Sequence, residues 1–261
     1  MYDNLTDRIK GRMIKSVVVT GGSKGIGWSI VKKFASSGIH VVSGSRTLKD
    51  EIPHEIREFV HQLKIDVRNP IDHDRLVYEA LNVGDEMIAY INNAGFSEWR
   101  SLENIDSEFL HRVLETNLMG YFWGTIAAAK KLPRGGSIIN ISSLAAKRGT
   151  PSNSAYVASK FGVAGLTQSA SKELGARGIR VNAICPVLVE TEGLVSALTQ
   201  PDAPGFEDVS GFLKSFAASQ TSLGRLPTAE EVANLAFFLV SGHASAITGQ
   251  SINVDCGVLP N

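Results

Sequence analysis

Ser154 to Lys160 reads SAYVASK and sets Tyr156 and Lys160 four residues apart in a segment that reads as a helix. On a helix that spacing puts both side chains on one face, about 5–6 Å apart at Cβ. A tyrosine at its ordinary pKa of about 10 exchanges protons poorly at neutral pH unless a neighbouring cation favours the phenolate, and Lys160 is the candidate for that cation. Thirteen residues before Tyr156 stands Ser143, just past the apolar run Ile138 to Ile141, which reads as a buried parallel strand. A hydroxyl there is placed to hydrogen-bond a substrate oxygen. Together these are the groups that proton transfer at a carbonyl or an alcohol requires. A Tyr-to-Lys pair is a weak motif by itself, so its meaning depends on the elements that position it.

Those elements sit in a chain of 261 residues, a length at which α/β folds often remain one domain. Hydrophobic residues make up 43% and charged residues 20%, which suits a globular protein with a sizeable core. The formal net charge is zero, so nothing electrostatic points to nucleic acid or an anionic membrane as partner, and a small ligand is expected instead. Cys185 and Cys256 are too few and too far apart in sequence for a disulfide framework or a metal cluster. No metal is expected, and a reducing cytoplasm fits best. The opening MYDNLTDRIKGRMIKS has no signal-peptide core, and no later stretch approaches the length that spans a bilayer. Residues 1–15 are expected to be a polar lead-in, and 16–261 a single domain.

Periodicity supplies the order of elements. Strands are expected at Lys15 to Thr20, Ile39 to Ser43, Gln62 to Val67, Met87 to Asn92, Ser137 to Ser142, Arg180 to Ile184 and Gln250 to Val254. Helices are expected after the glycine turn near Ile26, from Pro70 to Asn82, as one long element from Asp106 to Lys131, and around Tyr156. A further helix from Ala229 to Val240 would open on a capping box made by Thr228 and Glu231. The stretch from Pro186 to about Leu226 reads as irregular and is too long for a mere connection. Strands alternating with helices imply a doubly wound, Rossmann-type α/β fold: a parallel sheet of about seven strands with helices on both faces. Ligands in such sheets bind beyond the carboxyl ends of the strands, where the residues singled out here fall.

The turn after the first strand reads TGGSKGIG, Thr20 to Gly27. Glycines there let backbone approach a pyrophosphate, and the helix that follows offers free N–H groups and a partial positive charge. Gly21, Ser23, Lys24, Gly25, Ile26 and Gly27 are therefore candidate phosphate contacts of a dinucleotide. About 20 residues further on, where an NAD-binding protein usually carries an acid for the ribose hydroxyls, the chain reads GSRT. Arg46 can instead pair with a 2′-phosphate, and Lys24 can reach the same group. Two cations in place of one acid favour NADP(H), with NAD(H) as the alternative.

On these residues the chain resembles the short-chain dehydrogenase/reductase family in its compact single-domain branch. TGGSKGIG at 20–27, Asp66-Val67, NNAG at 92–95, Asn117, the ISS that ends in Ser143, YVASK at 156–160 and ITGQSINVD at 247–255 fall in family order over nearly the whole chain. The resemblance implies an oxidoreductase in which Asn117, Ser143, Tyr156 and Lys160 form a catalytic tetrad, Asn117 holding a water that links Lys160 to solvent. It implies that Asp66 and Val67 contact adenine and that Asn93, Ala94 and Gly95 line the cofactor. Ile184, Pro186 and Thr191 would contact its nicotinamide half, and residues 187–223 would form a mobile substrate loop. It further implies a homotetramer or dimer. The late segment GRLPTAEEVANLAFFLVSG is most like bacterial 3-oxoacyl-acyl-carrier-protein reductases, with Arg134 and Arg177 where those enzymes carry basic residues for an acidic carrier. A 3-oxoacyl thioester is thus the first substrate expectation and a sugar or polyol the second, while a non-catalytic NADPH-binding protein is the alternative from another class. Two positions depart from the family pattern. Val187 stands where glycine usually follows the proline, and Cys256 where Asp-Gly-Gly is usual.

Overall fold

The structure is a computed structural model that describes residues 13–260. The expected lead-in lies almost wholly outside the described residues. Seven parallel strands form one sheet in the order β3-β2-β1-β4-β5-β6-β7. They are β1 (Lys15–Thr20), β2 (His40–Ser45), β3 (Val60–Lys64), β4 (Glu86–Asn92), β5 (Ser137–Ile141), β6 (Arg180–Pro186) and β7 (Ser251–Val254). The helices are α1 (Gly25–Ala35), α2 (Pro70–Val83), α3 (Ser107–Leu114), α4 (Gly120–Lys131), α5 (Ser154–Gly175), α6 (Glu192–Leu198), α7 (Val209–Gln220) and α8 (Ala229–Val240).

Alternation along each strand feeds two separate cores, because successive side chains leave opposite faces of a sheet. Val17 and Val19 of β1 pack with Ile30 and Phe34 of α1 and with Val232 and Leu239 of α8. Val18, between them, belongs to the other face with Leu76 of α2, Tyr121 of α4 and Val163 of α5. All three valines are fully buried, which is why the β-branched run carries no polar residue. Strand order reverses between β1 and β4, and the crevice of a doubly wound sheet opens at that point.

A polar ladder through the second core fixes α5 against the sheet. The Asn92 amide of β4 donates to Asn140 Oδ1 of β5 at 2.9 Å, and the Asn140 amide donates to Thr167 Oγ1 of α5 at 2.9 Å. Thr167 in turn donates to the Val163 carbonyl at 2.8 Å. Asn92, Asn140 and Thr167 are essentially inaccessible to solvent, so each bond is made where water cannot compete for it.

Several expectations are corrected. The third strand occupies Val60–Lys64 and not Gln62 to Val67. Its pairing ends where Ser45 meets Lys64, after which the Asp66 N–H turns out of the sheet to Asp72 Oδ2. The long helix from Asp106 is broken by a π-helical turn, Glu115–Met119, that contains Asn117. An inserted residue of this kind turns a side chain inward without ending the helix. The stretch expected as irregular contains α6 and α7. Thr191 Oγ1 accepts from the Leu194 N–H, and Asp208 Oδ1 accepts from the Gly211 N–H, so both helices begin on side-chain caps.

The two departures from the family pattern have different physical characters. Val187 avoids the left-handed region and its N–H pairs with the Val254 carbonyl, so a branched residue fits there. Cys256 has φ 53°, a conformation that glycine adopts freely and cysteine does not, so the substitution leaves a strained backbone there.

Candidate functional site

A cleft of about 1070 Å³ runs along the carboxyl ends of the strands. Its walls include Gly21, Ser23, Lys24, Gly25, Ile26, Gly27, Arg46, Asp66, Val67, Asn93, Ala94, Gly95, Ser143, Tyr156, Lys160, Pro186 and Thr191. Those are the site residues expected from the sequence except Asn117, which is fully buried behind the wall. Ile184, expected beside the nicotinamide, does not line the cleft either. It faces the core with Ile139 and Ile141, because its place in β6 points it toward the α1 and α8 layer.

The glycine turn is shaped by close backbone approach. Gly21 has φ 68°, and a Cβ there would lie 2.8 Å from the Ala94 Cα. A Cβ on Gly27 would collide with the Gly21 carbonyl and the Asn93 amide. The Thr20 hydroxyl accepts from the N–H groups of Asn93 and Ala94 at 3.0 and 3.1 Å, and the Asn93 amide donates to the Thr20 carbonyl at 2.9 Å. This stitching ties the NNAG loop to the turn and leaves the first N–H groups of α1 facing the cleft. Across the opening, Thr191 comes within 3.3 Å of where a Gly25 Cβ would stand. The residues fit a dinucleotide: a cradle that admits no side chains, a helix N-terminus, and a cleft long enough for both halves.

At the far end, Lys24 and Arg46 are both exposed, and neither forms an ion pair among the described residues. The structure adds a third cation that sequence reasoning missed. Arg68 holds Asp66 through several hydrogen bonds, Nη2 to Oδ2 being 2.6 Å, and these bonds keep the Asp66 carboxyl below its usual range. The Asp66 carboxylate is thereby engaged chiefly by Arg68, with the charge of Arg46 acting more weakly in the same direction.

At the catalytic end, Tyr156 and Lys160 share one face of α5 as their spacing requires. The amine lies 5.6 Å from the Tyr156 ring centroid and 4.8 Å from that of Tyr121. Lys160 Nζ donates to the Ile141 carbonyl at 3.0 Å and to the Tyr121 hydroxyl at 3.3 Å, and Tyr121 itself donates to Ile141 at 2.7 Å. Burial lowers the Lys160 pKa to about 7. Burial also raises the Tyr156 pKa, with a hydrogen bond from Ser143 pulling partly the other way. Burial is thus the largest influence on the phenol, and it acts against the acidification expected from Lys160.

The remaining tetrad member acts on the backbone. Asn117 Oδ1 accepts from the Phe96 N–H at 3.0 Å and its amide donates to the Phe96 carbonyl at 2.7 Å. Both ends of the side chain are thus engaged in holding the loop after β4. Tyr121 was missed because an aromatic on a helix reads as core, and only the fold brings it to Lys160. Leu188, Leu194, Phe212 and Phe216, within the stretch expected as the substrate loop, give the substrate end an apolar wall together with Trp99, which was missed because it comes from a separate loop. Arg134 and Arg177 precede β5 and β6 and so lie at the amino ends of the strands, the opposite edge of the sheet from the cleft. They do not border this chain's own site.

A family model described as enoyl-(acyl carrier protein) reductase matches residues 21–259. The chain is 37% identical over 250 residues to the 3alpha-hydroxysteroid dehydrogenase of Mediterraneibacter gnavus, an alignment that takes in 92% of this chain and 95% of that protein. It is 34% identical over 256 residues to the 3-oxoacyl-acyl-carrier-protein reductase of Staphylococcus aureus, covering 95% of this chain and 99% of the relative. Among solved structures, the ligand-free aldohexose dehydrogenase of Thermoplasma acidophilum superposes with a TM-score of 0.85 at 29% identity, over 94% of each chain.

The buried amine gives a stability prediction whose sign is fixed. With a folded pKa of about 7 against an ordinary 10.5, the unfolded chain binds more protons between those values, so the penalty for burying Lys160 is full below pH 7 and fades as pH rises toward 10.5. Lys160→Met is expected to raise the free energy of urea unfolding at pH 6 by on the order of 1 kcal/mol or more, and to change it much less at pH 10.

Proposed function

Since the chain belongs to the short-chain dehydrogenase/reductase family, an oxidoreductase family acting on alcohols and ketones, we propose that it reduces a ketone to a secondary alcohol with NADPH. The observation that carries this reading is the convergence of the glycine turn, Ser143, Tyr156 and Lys160 on one cleft. Residues 21–27, 93–95 and 191 would hold the dinucleotide, which would supply the hydride when bound. Ser143 orients the carbonyl oxygen by a hydrogen bond, and Tyr156 gives that oxygen its proton. A phenol whose pKa is raised by burial is fully protonated at neutral pH, the state that a proton donor in reduction must have. As the phenolate forms, a proton on Lys160 becomes favourable, and the amine is poised near neutrality to carry it. Asn117 positions the loop that carries Gly95, since a Cβ there would lie 3.0 Å from its Oδ1.

Preference for NADP(H) over NAD(H) rests on Lys24 and Arg46, with Arg68 removing the competing charge of Asp66. For substrate, the wall of Trp99, Leu188, Leu194, Phe212 and Phe216 suits an apolar carbon skeleton. A 3-oxoacyl thioester and a cyclic ketone of steroid type, the substrates that relatives' names suggest, both meet that requirement. The placement of Arg134 and Arg177 removes the argument for an acidic carrier at this chain's own cleft. Exposed Phe122 and Ile126 on α4 and Phe161 on α5 support assembly into a homodimer or homotetramer through these helices. No helix among the described residues is long and apolar enough to cross a membrane, and a cytoplasmic location accords with the two free cysteines.

Two outcomes test the reading. Tyr156→Phe is expected to lower kcat for NADPH-dependent ketone reduction by roughly 10²–10⁴-fold while NADPH binding, followed by fluorescence, stays near wild type; full turnover in that variant would refute the role of the phenol. The double variant Lys24→Ala, Arg46→Ala is expected to weaken NADPH binding roughly tenfold or more and NADH binding little, because only the former carries the phosphate those cations meet. Equal losses for both nucleotides would contradict the assignment.

A further inference from the structure

We propose that Tyr121 is a positioning residue for the reduction: its hydroxyl and ring hold the Lys160 amine in place beside Tyr156 and keep it able to bear a proton. The proposal rests on the reading of Tyr156 as proton donor and adds a group that acts on it through Lys160. Tyr121 stands in the first turn of α4, directly after the π-helical turn that carries Asn117. Phe109, Val113, Asn117 and Tyr121 follow one another every four residues and are all buried. A regular helix of 3.6 residues per turn would rotate such a row away from the core, and the wider turn keeps it facing inward. Tyr121 does not line the cleft, so its hydroxyl meets Lys160 from within the protein. Three contacts close a triangle. The Tyr121 hydroxyl donates to the Ile141 carbonyl at 2.7 Å, and Lys160 Nζ donates to that carbonyl at 3.0 Å and to the Tyr121 oxygen at 3.3 Å.

A tyrosine that only filled space in the core would be satisfied by the Ile141 bond alone. Here that bond has a further consequence. A hydroxyl has one proton, and with it committed to Ile141 the oxygen meets Lys160 solely as an acceptor. Burial pushes the Tyr121 phenol well above its ordinary value, so at neutral pH it does not compete with Tyr156 as the acid. The other titratable groups around the amine give it little charge. Tyr156, on the same helix, is kept protonated by burial. The Cys185 thiol of β6, whose charge would favour the ammonium, is also pushed up by burial and stays neutral. Among the described residues no carboxylate forms an ion pair with Lys160. A protonated Lys160 is therefore held by one carbonyl, one phenol oxygen and the rings of Tyr121 and Tyr156, whose centroids lie 4.8 and 5.6 Å away. When Tyr156 gives its proton to the ketone oxygen, the phenolate left behind depends on that ammonium. Whatever stabilises the ammonium thus speeds reduction and extends it to higher pH.

The test follows kcat against pH for NADPH-dependent reduction of cyclohexanone and ethyl acetoacetate by wild type and Tyr121→Phe, which keeps the ring and removes the oxygen. Wild type is expected to lose turnover as pH rises through the apparent pKa of the Tyr156–Lys160 pair. The variant should lose it roughly one pH unit lower, the shift expected when a buried cation loses one of its acceptors. A urea-unfolding series from about pH 5 to pH 10 needs no substrate. If the variant holds the Lys160 proton less well, its unfolding free energy falls further than that of wild type as pH is lowered, the extra fall coming below about pH 7. In a Lys160→Met background, Tyr121→Phe should leave the pH dependence unchanged. Thermal melts confirm folding, and Tyr121→Met, which lacks the oxygen and fills the gap with a flexible chain, replaces Tyr121→Phe if the latter does not fold. A loss of turnover equal at every pH, or an unfolding profile parallel to that of wild type, overturns the positioning role while leaving ketone reduction standing. Wild-type turnover of neither ketone overturns the reductase reading, and the unfolding series then decides whether Tyr121 holds the Lys160 proton.

Discussion

The amine of Lys160 lies at the floor of the cleft with one carbonyl and one phenol as its partners, and the site follows from how the fold tolerates that burial. An ammonium in such surroundings is costly, and the cost appears as a pKa of about 7. The arrangement persists because neighbouring groups are over-determined. Ile141 offers its carbonyl at the end of β5, Tyr121 reaches it from α4, and the Ser142 hydroxyl donates to the Lys160 carbonyl at 3.3 Å. Helix α5 cannot slide to relieve the amine while Asn140 and Thr167 hold it to the sheet. Stability spent there keeps an amine of lowered pKa beside Tyr156.

The nucleotide half obeys a steric constraint of the same kind. The glycine turn and the NNAG loop approach so closely that a single Cβ on Gly21 or Gly27 would have no place, and Thr20 and Asn93 satisfy the backbone groups exposed by that approach. The parallel sheet makes the meeting possible, because adjacent β1 and β4 end on the same edge. The glycine turn and the Tyr156–Lys160 pair thus meet at one edge because of one strand order.

Much of this was legible in the residues themselves. Buried β-branched runs and glycine spacing give local signals, so the strands, the turn and the Tyr-to-Lys face could be read before any coordinates. Boundaries set by pairing partners were less readable: the third strand stops where β2 stops, which no property of Gln62 to Val67 announces. The caps at Thr191 and Asp208 were signals present but passed over, obscured by prolines and glycines around them. Effects that depend on burial were not legible at all. The burial that raises the Tyr156 pKa, the Arg68 clasp on Asp66 and the engagement of Asn117 with Phe96 all arise from residues that the fold brings together or shuts away from water.

The most direct measurement of the central claim is isotope transfer. NADPH carrying deuterium at the reactive nicotinamide carbon would be incubated with the protein and a ketone, and the alcohol analysed by mass spectrometry. The account predicts one deuterium on the carbinol carbon of the product, with none acquired from labelled solvent at that carbon. Alcohol formed without the label, or NADPH bound while no alcohol appears from any ketone, would contradict it.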